Sequence, residues 1–213
     1  MLLTLAAFAI RALFPHPVPL PVAEASPAES LVHRLEAHQA RVGDLTARFV
    51  QTYRSGVLGR EVVERGVLSI KRPGRMLWEY KDPEKKTFVA DGKAYYFYVP
   101  ADRQVVVRDQ DHERSIPSLL LSGQGDILSQ FEVGLEGTPS GRPRLRLTPR
   151  KPEPEIERVF VDLDAADRVR GIQVEDAQGD RSRFEFDDIR ENVDLPDRLF
   201  RFQVPPGVEV IRG

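Results

Sequence analysis

The sequence predicts a mainly β protein of the α+β type: one large, highly curved antiparallel sheet with an N-terminal helix and a few short helices. Three observations carry this. A helical apolar period occurs at length only once, near the start. Most of the remaining chain alternates with a period of two, and short turns separate the alternating segments. Strands joined by short turns lie side by side. About ten of them in one sheet tend to curl, close or split, and the helices are the available cover for their apolar faces.

Each element has its own signal. Met1–Ile10 is apolar apart from Thr4, 15–21 is proline-rich, and Ala23-Glu24-Ala25 comes next. An apolar run ending in small residues around a variable one is the pattern of a secretory signal. We expect 1–25 to be an export signal and 26–213 a single domain. The apolar run falls short of the roughly 20 residues that span a bilayer. Arg11 follows the run where a basic residue should precede it. Ser26-Pro27-Ala28-Glu29 then starts a helix, with a capping serine, proline at the first position and a glutamate completing a capping box. Leu31, Leu35, Val42 and Leu45 recur with roughly helical spacing, so the helix is expected over 27–42, stopped by Gly43.

From Leu45 the period is two. Strands are expected at 45–54, 60–71, 75–81, 86–90, 93–99 and 104–108, with Asp91-Gly92 as a hairpin turn. Two short helices come next, around Ile116-Pro117-Ser118-Leu119-Leu120-Leu121 and 126–131. Strands resume at 131–136, 143–148, 156–163, 169–176 and 181–190, and 200–208 is read as a last short strand and tail. Pro149, Pro152 and Pro154 belong to a loop, because proline cannot pair inside a sheet.

Composition narrows the chemistry. A net charge of −2 leaves no basic field, which argues against nucleic acid as a partner. No cysteine is present, which excludes disulfides, thiolate catalysis, Cys-ligated metal and a lipidated cysteine. HExxH, GxSxG, Walker A and GxGxxG motifs are absent, and no cofactor is implied. Asp109, Asp111, His112 and Ser115 are close in sequence but match no triad spacing, so they read as a solvated loop. Asp162-x-Asp164 and Asp187-Asp188 carry oxygens suited to a hard cation, but no glycine-turned ligand loop surrounds them. A turn and a strand edge are the simpler reading. A binding protein is favoured over an enzyme.

Arg72 does not fit a plain reading. It shares the parity of Leu68 and Ile70, and residues two apart in a strand point to the same side. A buried guanidinium is costly unless paired, but its five donors suit the backbone carbonyls of a covering helix. Alternatively Pro73 bends the strand end and Arg72 reaches water. Both readings stand on parity alone. Met76, Trp78 and Tyr80 share the next strand's face, as core or as a cavity wall.

The residues also carry a resemblance. Arg48-Phe49-Val50-Gln51, the run from Gly66 to Tyr80 with Arg72-Pro73 and Trp78, the Asp91-Gly92-Lys93 hairpin into Tyr96-Phe97-Tyr98-Val99-Pro100, and the Phe202–Val208 close resemble the periplasmic outer-membrane lipoprotein carrier family (LolA-like) in the right order. Ile116–Leu121 resembles that family's helical lid. The 142–154 loop is not explained by it. The resemblance implies an unclosed antiparallel β-barrel under a lid, with a hydrophobic cavity for the acyl chains of lipoproteins. It implies that Arg72 holds the lid through lid backbone. It also implies an acyl site drawn from Leu35, Phe49, Leu68, Ile70, Arg72, Met76, Trp78, Tyr80, Leu119 and Leu120. The implied partners are acylated lipoproteins as cargo, an inner-membrane lipoprotein-releasing ABC transporter and an outer-membrane acceptor. The carrier itself is expected to be periplasmic, unlipidated and monomeric. The alternatives are a lipid- or lipoprotein-sensing periplasmic module and, from the enzyme class, a secreted hydrolase using 111–115.

Overall fold

The computed structural model describes residues 25–109, 116–123, 125–138 and 141–212. Residues 1–24 of the expected export signal, and Asp111, His112 and Ser115 of the hydrolase reading, lie outside these. The first helix, α1 (Pro27–Gln39), starts as its sequence dictates. The Ser26 hydroxyl accepts from the Glu29 amide at 3.2 Å, and the Glu29 carboxylate accepts from the Ser26 amide at 2.7 Å. It ends three residues before the expected Val42. There the Arg41 and Val42 amides turn to the His38 and Gln39 carbonyls, and three-residue steps close the helix early.

Six strands come after it: β1 (Asp44–Arg54), β2 (Glu61–Lys71), β3 (Arg75–Asp82), β4 (Lys86–Asp91), β5 (Ala94–Val99) and β6 (Gln104–Asp109). Two short helices interrupt, α2 (Ile116–Ser122) and α3 (Ile127–Gln130). Then come β7 (Phe131–Glu136), β8 (Arg144–Pro149), β9 (Arg158–Leu163), β10 (Val169–Glu175), β11 (Arg181–Glu191) and β12 (Glu209–Arg212). The twelve form one sheet in the order β12-β6-β5-β4-β3-β2-β1-β11-β10-β9-β8-β7. The sheet is unclosed, because β7 and β12 stand at opposite edges.

β1 to β6 and β7 to β11 each pair in sequence order, antiparallel as expected, but two further pairings are non-local. β1 joins β11 through a long antiparallel register, Leu45 facing Glu191 and Arg54 facing Arg181. β12 lies parallel to β6. The expected strand over 200–208 is displaced. Asp197–Phe200 forms a 3-10 turn, Pro205 and Pro206 lack the amide a ladder needs, and pairing begins only at Glu209.

The concave face holds the main core. α1 contributes Leu31, Val32 and Leu35, which pack over α3, β7 and β8. At about 1.5–3 kcal/mol for each fully buried aliphatic side chain, this face rather than helix propensity holds α1 in place. Gly66 faces Phe49 across the β1–β2 ladder, and a Cβ there would lie 2.7 Å from the Phe49 ring. The missing side chain is what lets that ring cross β2. The convex face is closed by the chain's end, where Phe200 and Phe202 pack with Leu77, Val89 and Tyr96. Asp197 anchors this segment through Lys71 at 2.7 Å and Arg75 at 2.8 Å.

Candidate acyl cavity and lid

A cavity of about 490 Å³ lies on the concave side between α2, the helix that the resemblance makes the lid, and strands β3–β6, β10 and β11. Its wall is largely aromatic: Trp78 and Tyr80 from β3, Phe88 from β4, Tyr95 and Phe97 from β5, and Phe184 from β11. The rings brace one another. Trp78 meets Phe184 edge-on at 5.3 Å, and Phe88 stacks on Phe97 at 4.2 Å. Phe49 sits behind them, 4.9 Å from both Trp78 and Tyr80. Such pairs contribute roughly 0.5–1.5 kcal/mol beyond area burial, which resists collapse of the wall into the cavity.

Polar groups are few and tied. The Tyr80 hydroxyl donates to Gln51 Oε1 at 2.6 Å, while Lys86 lies 4.4 Å over the Tyr80 ring and pairs with Glu64 at 2.7 Å. Burial, with the Glu64 charge adding to it, pushes the Tyr80 phenol well above its ordinary value. It stays a neutral donor. Trp78 Nε1 turns to the Met76 sulfur at 2.8 Å. On the lid side the lining is Pro117 and Ser118, with Arg108 at the rim.

Met76, Trp78 and Tyr80, which the sequence left open between core and cavity wall, line the cavity and are also part of the buried core. Leu35, Phe49, Leu68, Ile70 and Leu120 are instead part of the solid core beside it. Leu35 and Leu68, together with Arg72, border only a small pocket of about 30 Å³, room for about one water. Leu119 packs partly buried against the same core, on α2. The sequence reading missed Phe88, Ala90, Tyr95, Phe97, Val106, Val174 and Phe184. For β5, both faces are apolar in sequence, so alternation alone chooses no side. The structure turns Tyr95 and Phe97 inward, while the rings of Tyr96 and Tyr98 pack against Phe202, Tyr96 still bordering the cavity. Val174 and Phe184 join the wall only through the non-local β1–β11 pairing.

Arg72 points inward, in agreement with its parity. Among the described residues its guanidinium donates to the Gln39 carbonyl, the last of α1, rather than directly to lid backbone. Gln39 then continues the link: its side-chain amide donates to the Leu120 carbonyl of the lid at 2.5 Å. Gln39 is buried, so its bond to Leu120 forms away from water, where an unmade bond costs most, while the Arg72 bond is half-buried. Burial pulls the Arg72 guanidinium below its usual value, though arginine stays charged. Gly123 closes the arrangement. Its φ of +63° suits glycine, and a Cβ there would lie 2.5 Å from an Arg72 guanidinium nitrogen.

The acidic pairs serve the fold. Asp162 takes both Arg144 (2.5 and 3.1 Å) and Arg183 (3.1 Å) on the convex face. Burial raises its pKa, but the bonds and charge of Arg144, then Arg183, outweigh this and hold the carboxyl below its ordinary range. Asp164 accepts from the Ala166 and Arg168 amides in a turn, and Asp187 pairs with Arg170 at 2.7 Å. Among the described residues, no three His, Cys, Asp or Glu side chains gather to hold a metal ion, and no helix is long and apolar enough to cross a membrane.

Comparison with known proteins adds a second line. Residues 40–203 match the family described as outer membrane lipoprotein carrier protein LolA. An outer-membrane lipoprotein carrier protein of Chromohalobacter salexigens is 33% identical over 180 residues, covering 84% of this chain and 85% of that protein. One of Nitrosospira multiformis is 35% identical over 150 residues, covering 68% and 71%. In three dimensions the chain is similar to an uncharacterized conserved protein from Thermus thermophilus, with a TM-score of 0.55, 16% identity and coverage of 86% and 98%. That likeness speaks to the fold.

Proposed function

The chain belongs to the outer membrane lipoprotein carrier family, LolA, and on that premise we propose that the aromatic cavity under α2 holds the acyl chains of its lipoprotein cargo. It is a lipoprotein carrier of a periplasmic, non-enzymatic family. The observation that carries the acyl-site assignment is the cavity itself: aromatic, beneath a lid tied down through Arg72 and Gln39.

The energetics suit a carrier. Each buried acyl CH₂ contributes about 0.8 kcal/mol, so one long chain contributes on the order of 10 kcal/mol before costs. Cargo held that firmly needs a counterweight for release. The neutral Gln39–Leu120 bond to the lid, about 0.5–1.5 kcal/mol, backed by the charged Arg72 bond of about 1.5–3 kcal/mol that holds Gln39, is made when the lid is down and provides one. At about 490 Å³ the cavity is in the range for a single small ligand. In our reading a multiply acylated cargo requires the lid to move outward.

We further assign 1–25 as an export signal and 26–213 as the working domain, unlipidated for want of a cysteine. The domain acts as a monomer, taking cargo from an inner-membrane ABC transporter and passing it to an outer-membrane acceptor. Native mass spectrometry of 26–213 with a triacylated lipoprotein and its unacylated form tests the cargo reading. A one-to-one complex with the acylated form alone is expected. No complex with either, and no uptake of an apolar fluorescent probe, overturns it.

A further inference from the structure

Val57 and Leu58 are the most exposed large apolar residues among those described, at 79% and 70%. They sit side by side at the tip of the β1–β2 hairpin, far along both strands from Arg72 and the lid. The tip is held, not loose. The Ser55 amide donates to the Arg60 carbonyl and the Gly59 amide to the Ser55 carbonyl, both at 2.9 Å. Asp180 accepts from the Gly56 amide at 2.7 Å and from the Tyr53 hydroxyl. Gly56 packs so closely on the 178–179 turn that a Cβ would lie 2.5 Å from the Gln178 carbonyl oxygen.

The tip is also continuous with the cavity. Val174 faces Ser182, Ser182 faces Tyr53, and Tyr53 faces Val62 across four strands. Directly opposed residues share a face. Val174 and Ser182 line the cavity, while Tyr53 and Val62 extend the same concave face into solvent toward the tip. Exposed Arg54 and Arg60 bracket the apolar pair, with Glu61 opposite Arg54.

We propose that this hairpin tip is a lipid-bilayer contact. Val57 and Leu58 enter the interface, Arg54 and Arg60 meet anionic headgroups, and Tyr53 and Val62 continue the cavity's face toward the bilayer, so that hand-over with a membrane-bound partner takes place at its surface. The hand-over part rests on the carrier reading; the docking part does not. A convex apolar knob with cations at its root and a wet aromatic behind it has the chemistry of an interfacial anchor.

The test is co-flotation of the 26–213 protein with phosphatidylcholine vesicles containing a quarter phosphatidylglycerol, against the Val57→Asp/Leu58→Asp variant. Uptake of an apolar probe by the cavity is followed in parallel. The wild type is expected to float and the variant to lose about tenfold or more of its bound fraction, the order set by withdrawing two apolar side chains, with probe uptake unchanged. Wild type that stays at the bottom, or a variant that floats equally, overturns the proposal. So does self-association of the wild type that the variant abolishes, because the tip then serves a second copy. Loss of probe uptake in both proteins with flotation intact removes the cavity reading and leaves the docking surface standing.

Discussion

The strands covered by α1 and those covered by α2 meet their helices with different side chains. Leu145, Leu147, Val159, Val161 and Leu163, on β8 and β9, are fully buried in the α1 half, where the thirteen-residue helix lays down Leu31, Val32 and Leu35. The α2 half has a seven-residue helix over Trp78, Tyr80, Phe88 and Phe97, and about 490 Å³ remains between them. Aliphatic side chains close on a long helix. Rigid rings braced edge to face cannot follow a short one inward. The cavity therefore follows from unequal helical cover, with aromatic side chains lining the half that stays open.

Variants on both sides of the molecule test that contrast. Leu145→Ala in the packed half should cost about 2–5 kcal/mol, because the hole cannot be refilled. Phe97→Ala in the cavity wall should cost less than about half of that, since part of its ring already faces open space, while apolar-probe binding changes. Urea denaturation of both variants checks this, and equal costs would mean that the two halves are packed alike.

The lid link comes next. Arg72→Leu removes a charged hydrogen bond of about 1.5–3 kcal/mol, and Gln39→Leu a neutral one of about 0.5–1.5 kcal/mol. Arg72→Leu should favour the open, loaded protein and slow hand-over to an acceptor. Equal transfer rates for wild type and variant would remove this role. Gln39→Leu keeps the backbone carbonyl that accepts from Arg72, so the two effects are non-additive in a double-mutant cycle only where the Arg72 bond fixes how the Gln39 side chain meets the lid. Full additivity would mean that Arg72 and the lid are not joined through Gln39.

The smallest effect is expected on the convex face. Asp162 is held below its ordinary pKa in the folded protein. Its contribution is therefore fully present above the unfolded value, about 3.9, and is lost as pH falls through the lower folded value. Asp162→Asn should flatten that acid limb of stability while leaving apolar-probe binding at neutral pH intact. An unchanged acid limb would show that Arg144 and Arg183 contribute no net stabilisation there.

Much of this was legible locally. The Ser26 capping box, the alternating strands, the Asp91-Gly92 turn, the inward parity of Arg72 and the Met76-Trp78-Tyr80 face are set within a few residues of chain, by dihedral preference and side-chain period. Three of the ten residues assigned to the acyl site lie on the cavity wall for that reason. The rest depended on long-range pairing. Which side of β5 faces inward, that Val174 and Phe184 join β3's aromatics, that Gln39 links Arg72 to the lid, and that the last strand lies parallel beside β6 all follow from contacts between distant segments. Gln39 looks in sequence like any polar residue on an exposed helix face, and it stands one position before the segment that matches the family. Local sequence determined the elements and their faces, because period and capping act over a turn or a pleat. Only the tertiary structure decided which faces meet and where space is left, because α1 is long enough to fill one half of the sheet and α2 is not.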